Sequence, residues 1–414
     1  MTENQATQNK AKKILAACAL FNLSIGILFA WSALQLRLTM PIDDGGFGWS
    51  SSQAGFPYVI AIVFFSLGVV IGGRIQDKIG PRWVMTTGGT LMGLGLILSG
   101  FAGNNVAGVV LCFGIIAGVG MGFGYGCAAP PALKWFPPTK KGMISGIIVG
   151  SFGLSAMIYA PLINLLLSLF GIEWTLIVLG TGALIASVSI AQFISNPPSG
   201  YVPAASETTT QQAAKSTPAT DFTWREMLET RRFRLMFIMF ILASSVGLMV
   251  IGNMTRIAQT QVGSESPWIL VSFLAITNTV GRIVGGKISD KVGRINALYM
   301  ALILQMLNMA AFPFYSTMPA LLVGIVLVGF CYGTLLSVMP ALCADQYGLK
   351  NFGVNYGILF LAWGASGLVA PMLAGFFFDA TGSFTVTYII CAVMTIGMIY
   401  VNFLLKKDID SRMA

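Results

Sequence analysis

Hydropathy along this chain alternates between long apolar stretches and short polar ones. Twelve apolar stretches stand out, at about 14–36, 53–76, 83–103, 106–130, 142–170, 174–194, 233–257, 267–288, 295–315, 318–342, 352–377 and 384–405. Each approaches the ~20 residues that a helix needs to cross a ~30 Å hydrocarbon core. One polar stretch is long, from Ser195 to Thr230. It holds Asn196-Pro197-Pro198-Ser199-Gly200, then a Ser/Thr/Ala/Gln run, then Trp224-Arg225-Glu226-Met227-Leu228. That composition predicts a flexible linker ending in a short surface helix. It divides the apolar stretches six and six. The pattern predicts an all-α membrane protein with twelve transmembrane helices: a bundle over 1–194, a linker over 195–232 and a second bundle over 233–414.

Composition strengthens this picture. The 414 residues are 56% hydrophobic and only 9% charged, where a soluble domain carries roughly 25% charged residues. Such a chain cannot cover a water-facing surface, so the lipid bilayer is its medium. The first thirteen residues are polar. The apolar run from Ile14 is too long for the core of a signal peptide, and no small-residue cleavage site follows it.

A net charge of +9 fits a nucleic-acid partner when taken alone, but its distribution argues against one. Of the 24 basic residues, all but Arg37, Arg256 and Arg282 lie in the termini and the even-to-odd connections. The positive-inside rule then places both termini in the cytoplasm. Compactness and short loops point to a prokaryotic plasma (inner) membrane.

The six cysteines lie in apolar stretches without metal-like spacing and read as small core residues. There is no histidine, which removes the usual neutral-pH proton carrier and metal ligand. With no buried carboxylate pair and no metal cluster, neither an enzyme nor a metal or cofactor is expected. A primary pump is excluded by the absence of a G-x-x-x-x-G-K-[ST] phosphate loop.

The two halves repeat one design. Gly72-Gly73-Arg74-Ile75-Gln76-Asp77-Lys78-Ile79-Gly80 follows span 2, and Gly285-Gly286-Lys287-Ile288-Ser289-Asp290-Lys291-Val292-Gly293 follows span 8. Gly73 and Gly286 allow close helix approach. Asp77 and Asp290 can pair with basic groups at helix ends, among them Arg82 and Arg294. These six residues are the expected conformational set. A second echo links Gly124-Tyr125-Gly126 in span 4 with Cys331-Tyr332-Gly333 in span 10. In span 5, Gly142, Gly146, Gly150 and Gly153 form a small-residue stripe.

Twelve spans in two halves, with G-x-x-x-D-K-x-G after spans 2 and 8, resemble the major facilitator superfamily. The resemblance covers nearly the whole chain. It implies a substrate site between the halves near mid-membrane and alternating access by rocking. Within that superfamily the chain is similar to the monocarboxylate transporters and the related oxalate/formate antiporters. Trp135-Phe136-Pro137-Pro138-Thr139-Lys140-Lys141-Gly142, leading into Ser145 to Gly153, carries this likeness. So does Arg282, which stands where these families place a span-8 arginine. Asp44-Gly45-Gly46-Phe47-Gly48-Trp49 matches the monocarboxylate D-G-G-x-G-W pattern, although here it precedes span 2 rather than span 1.

Arg282 is the centre of the candidate site. It lies about eight residues before Asp290, hence roughly 12 Å into the membrane. A permanent charge at that depth is costly and usually functional. Its fork of donors fits a carboxylate, and the alternative is a helix-helix hydrogen bond to backbone carbonyls. Aligning the repeats sets Val69 opposite Arg282, so packing there does not require a cation. Asn278, one turn earlier, either orients the guanidinium, contacts substrate or bonds a neighbouring helix.

No Asp or Glu lies deep in any span, so the site offers a charge of about +1, which a monocarboxylate balances. A dicarboxylate leaves a net negative charge in low dielectric. The antiporters' second cation, a span-11 lysine, corresponds to Trp363 here. The resemblance also assigns Leu28 and Phe29 to the wall. Tyr125 and Tyr332 are paired hydroxyls that either contact substrate or pack. Phe360 and Trp363 are apolar wall candidates, and Asn355 and Tyr356 are weaker ones. Animal monocarboxylate transporters use a span-1 lysine and a span-8 aspartate, which correspond here to Ala33 and Asn278. Neither titrates usefully, so the substrate carboxylate itself is the candidate proton carrier, its pKa raised by desolvation.

The expected function is secondary transport of a small monocarboxylate such as lactate or pyruvate, by proton symport, in a monomer. An oxalate/formate-type organic anion antiporter is the alternative. A transporter-like sensor is a third, against which the short tails count.

Overall fold

The structure is a computed structural model and describes residues 3–198, 200–201, 221–264 and 268–411. Of the predicted linker, 202–220 lies outside the described residues. Among the described residues there are helices and no strands. The helices in chain order are α1 (Glu3–Ile25), α2 (Trp31–Leu38), α3 (Ser51–Ile79), α4 (Pro81–Ala102), α5 (Val106–Val109), α6 (Gly118–Trp135) and α7 (Lys141–Ala191). They continue with α8 (Trp224–Glu229), α9 (Arg231–Gly252), α10 (Met254–Val262), α11 (Trp268–Val292), α12 (Arg294–Ala311), α13 (Met318–Tyr347), α14 (Phe352–Thr381) and α15 (Thr385–Asp410).

Among the described residues, ten stretches are long and apolar enough to cross a bilayer. One of them, Pro138–Ala191, is 54 residues long. It breaks at Gly171, where φ is +72°, a backbone state that L side chains rarely adopt. The break falls between two predicted spans, so α7 supplies two crossing lengths. α11 has 25 residues, enough to cross. These account for the twelve predicted crossings.

Two crossings are interrupted. Between α1 and α2, Gly26–Ala30 tightens to a 3-10 turn. Carbonyls there are met from α7: Ser155 Oγ donates to Gly26 O at 2.8 Å, and Tyr159 OH to Ser24 O at 2.5 Å. A Cβ on Gly26 would fall 2.1 Å from Ser155 Oγ, so glycine is required for this approach. Between α5 and α6, Val110–Ala117 widens to a π-helix. Trp31 stacks on Phe113 there, with centroids 4.1 Å apart, and donates to Ala54 O at 2.9 Å.

The predicted short helix is α8. The Thr223–Glu226 capping box starts it, giving first-turn N–H groups an acceptor. Phe222 N donates to Tyr347 O at 3.1 Å, and Thr230 Oγ1 lies 2.9 Å from Tyr347 OH. These bonds dock the segment on the end of α13.

The chain forms two compact units. The first comprises Met1–Pro137, Ser151–Ser206 and Leu349–Phe360; the second comprises Pro138–Gly150, Glu207–Gly348 and Leu361–Ala414. In the first, α3 packs along α6, and in the second, α11 packs along α13. Each unit also takes in the opening turns of one further helix: α14 in the first, α7 in the second.

Candidate functional site

The sequence repeat is a repeat of contacts. In the first unit, a Cβ on Gly126 would fall 3.0 Å from Val69 Cγ1, and one on Gly357 would fall 3.0 Å from Val69 O. In the second unit, a Cβ on Gly333 would fall 2.9 Å from Arg282 N, and one on Gly146 would fall 2.1 Å from Arg282 O. Val69 and Arg282 therefore occupy the same kind of place, each clasped between two glycine-lined helices. Only Arg282 carries charge.

The Arg282 side chain is 1% exposed. Its Nε donates to Asn278 Oδ1 at 3.1 Å, and Nη1 donates to the Val149 carbonyl of α7. Asn278 thus accepts from the guanidinium one turn further along its own helix. The carbonyl bond matches the helix-helix alternative, and it has a chemical use as well. A neutral acceptor positions a guanidinium without cancelling its charge, so the positive potential that attracts an anion persists. In the same unit, Trp363 Nε1 donates to Tyr332 OH at 2.7 Å. Tyr332 and Trp363, 6% and 3% exposed, are held together as an amphipathic pair. Gly247 lies against the Tyr332 ring, where a Cβ would come within 2.3 Å.

The first unit gathers Phe29, Tyr125 and Phe360 around Phe65 and Phe152. Tyr125 lies 5.2 Å from Phe360, 5.0 Å from Phe152 and 5.3 Å from Phe65, while Phe29 lies 5.3 Å from Phe152. Tyr356 adjoins Phe360 at 5.7 Å. Leu28 is fully buried in the 3-10 turn. Phe65 and Phe152 escaped the sequence reading. Two signals point to them: Phe65 is one turn before Val69 on the same helix face, and Phe152 lies within the span-5 motif.

The motif aspartates act alike. Asp77 accepts from Gly353 N at 3.2 Å and Val354 N at 3.0 Å, at the start of α14. Asp290 accepts from Gly142 N and Met143 N, both at 2.8 Å, at the start of α7. A Cβ on Gly73 would fall 2.2 Å from Gly353 O, and one on Gly286 would fall 2.2 Å from Gly142 O. These close approaches bring each carboxylate within reach of a helix N-terminus, where its charge meets the helix dipole.

The basic partners differ between the repeats. Arg294 bonds Asp290 at 2.5 Å and Asp345 at 2.9 Å, and Lys141 bonds Asp345 at 2.9 Å. Arg82 is exposed and instead donates to Gln192 Oε1 at 2.8 Å. Asp345 and Lys141 were not singled out from sequence, because they are far apart along the chain.

Crossing-length helices, duplicated glycine contacts and a buried cation define an integral membrane protein of transporter type. Residues 14–318 and 306–412 match the family model described as Major Facilitator Superfamily, and the chain belongs to that superfamily. It is 28% identical over 348 residues to the uncharacterized MFS-type transporter YhjX of Escherichia coli (strain K12), covering 82% of each chain. It is 25% identical to monocarboxylate transporter 12 of Rattus norvegicus, over 87% of this chain and 78% of the relative. It is likewise 25% identical to the oxalate:formate antiporter of Oxalobacter formigenes, over 84% of this chain and 80% of that one.

Proposed function

We propose that this transporter moves a small monocarboxylate, with Arg282 as the group that receives the carboxylate. The observation that carries this reading is a guanidinium 1% exposed, clasped where the other repeat holds Val69. Packing alone is satisfied by valine, so the charge serves something else. A carboxylate takes two parallel charge-assisted hydrogen bonds from a guanidinium. Asn278 fixes the fork, and Tyr332, held by Trp363, offers a hydroxyl. Within the first unit, Leu28, Phe29 and Phe360 are proposed apolar lining residues, and Tyr125 offers a second hydroxyl.

Alternating access of the sequence halves, 1–194 and 233–414, is the proposed cycle. Asp77 and Asp290, with Gly73, Gly286 and Arg294, are its latches: a carboxylate on a helix N-terminus holds strongly and releases without breaking a covalent bond. Arg82 belongs to this set only through its contact with Gln192.

Named relatives of equal identity support both a monocarboxylate and an oxalate:formate reading. Trp363, at the place where the antiporters' second cation is expected, favours the monoanion. The test is uptake of labelled lactate, pyruvate, formate and oxalate by proteoliposomes. Accumulation of a monocarboxylate, lost in Arg282→Ala, is the expected result. Undiminished uptake by that variant removes Arg282 from the mechanism, and binding without accumulation means a sensor.

A further inference from the structure

The outer face of the second unit carries a groove that the transport reading does not use. It has a volume of about 430 Å³ and runs between α11, α12 and α13. Its walls include Ile288 and Gly285 of α11, Met300, Leu304 and Leu307 of α12, and Phe330 of α13. The one polar side chain in the lining, Thr334, gives its hydroxyl to Gly281 O at 3.3 Å and Phe330 O at 2.9 Å. A polar protein partner would find nothing there to pair with. Met300 is 56% and Leu307 58% exposed, so the groove opens outward at the depth of the spans, where the surrounding medium is hydrocarbon.

One end of the groove is charged. Ile288 lies one turn before Lys291, and helical spacing puts them on one face. Lys287 and Lys291 are exposed and enter none of the ion pairs among the described residues. The nearby acid Asp290 is taken by Arg294 and two backbone N–H groups. We infer that the groove between α11, α12 and α13 binds an anionic phospholipid, with its acyl chain along Leu304 and its phosphate on Lys287 and Lys291. Apolar length and a basic end complement one such molecule, and basic groups at a membrane surface recruit anionic headgroups.

The test uses the full-length protein in nanodiscs of equal phosphatidylglycerol and phosphatidylcholine, with retained lipid read by native mass spectrometry. The protein is expected to keep phosphatidylglycerol in preference to phosphatidylcholine. Lys287→Gln with Lys291→Gln is expected to cut that preference by roughly fivefold per lysine, the equivalent of ~1 kcal/mol each. Leu304→Trp, which fills the groove, is expected to lower retention of both lipids while size-exclusion elution and thermal unfolding stay unchanged. Equal retention of the two lipids, or a preference unaffected by the lysine changes, overturns the inference. So does a dimer in the parent protein that Leu304→Trp converts to monomer, since a second copy would then be the occupant.

Discussion

At the scale of single residues, the site is an exercise in fit around one charge. Arg282→Lys keeps the charge but gives up the planar fork. It is expected to lower uptake efficiency by about 10- to 100-fold, the equivalent of ~1.5–3 kcal/mol for a charge-assisted hydrogen bond. Initial-rate measurements across substrate concentrations check this, and an unchanged KM and rate would show that bidentate recognition is unnecessary. Gly333→Ala is expected to act on stability, because its Cβ would fall 2.1 Å from Asn278 O. Backbone cannot step aside as a flexible side chain can, so a loss of about 1–3 kcal/mol is expected, visible as a lower unfolding temperature. Arg282 was legible because a cation in an apolar run is conspicuous. The Val149 carbonyl was not, since every residue has a carbonyl and only tertiary packing selects one.

At the scale of elements, the motif aspartates work by capping helices other than their own. Asp77→Asn is expected to weaken the start of α14, and Asp290→Asn the start of α7, each by about 1 kcal/mol. Hydrogen exchange is the measure, with roughly fivefold faster exchange expected over 352–356 or 141–145. Unchanged exchange would mean that the contacts are incidental. α8 has its own dependence on pH. The Glu226 carboxyl is held below its usual range by the Thr223 backbone N–H and hydroxyl. Its folded pKa is depressed, so its stabilisation is present above the ordinary glutamate value and is lost as pH falls through the lowered one. Fraying of α8 on acidification, absent in Glu226→Gln, is the expected outcome.

The repeated motif was plain in the sequence, yet its receiving ends at Gly142 and Gly353 were not. Which helix start meets a motif is decided by packing, and it leaves no pattern along the chain. Arg82 and Arg294 illustrate the same limit: they follow the same motif, but Arg294 meets the carboxylates of Asp290 and Asp345 while Arg82 meets the Gln192 amide.

At the scale of the whole molecule, the twelve crossings were legible because each needs about twenty apolar residues and little else. The α7 break at Gly171 falls between the fifth and sixth predicted stretches. The partition into compact units was not legible. It follows contacts of the opening turns of α7 and α14, which hydropathy does not encode. Coupling is a property of the full cycle. If the substrate carries its own proton, an inward proton gradient is expected to drive accumulation, and a protonophore to abolish it. One-for-one exchange indifferent to the gradient would instead assign antiport.

The paired glycine clasps around Val69 and Arg282 have a further consequence. Each is a socket of backbone walls whose occupant is set by a single codon. On the proposed role of Arg282, exchanging the occupant is expected to change the polarity of the cargo while the backbone walls around it stay in place.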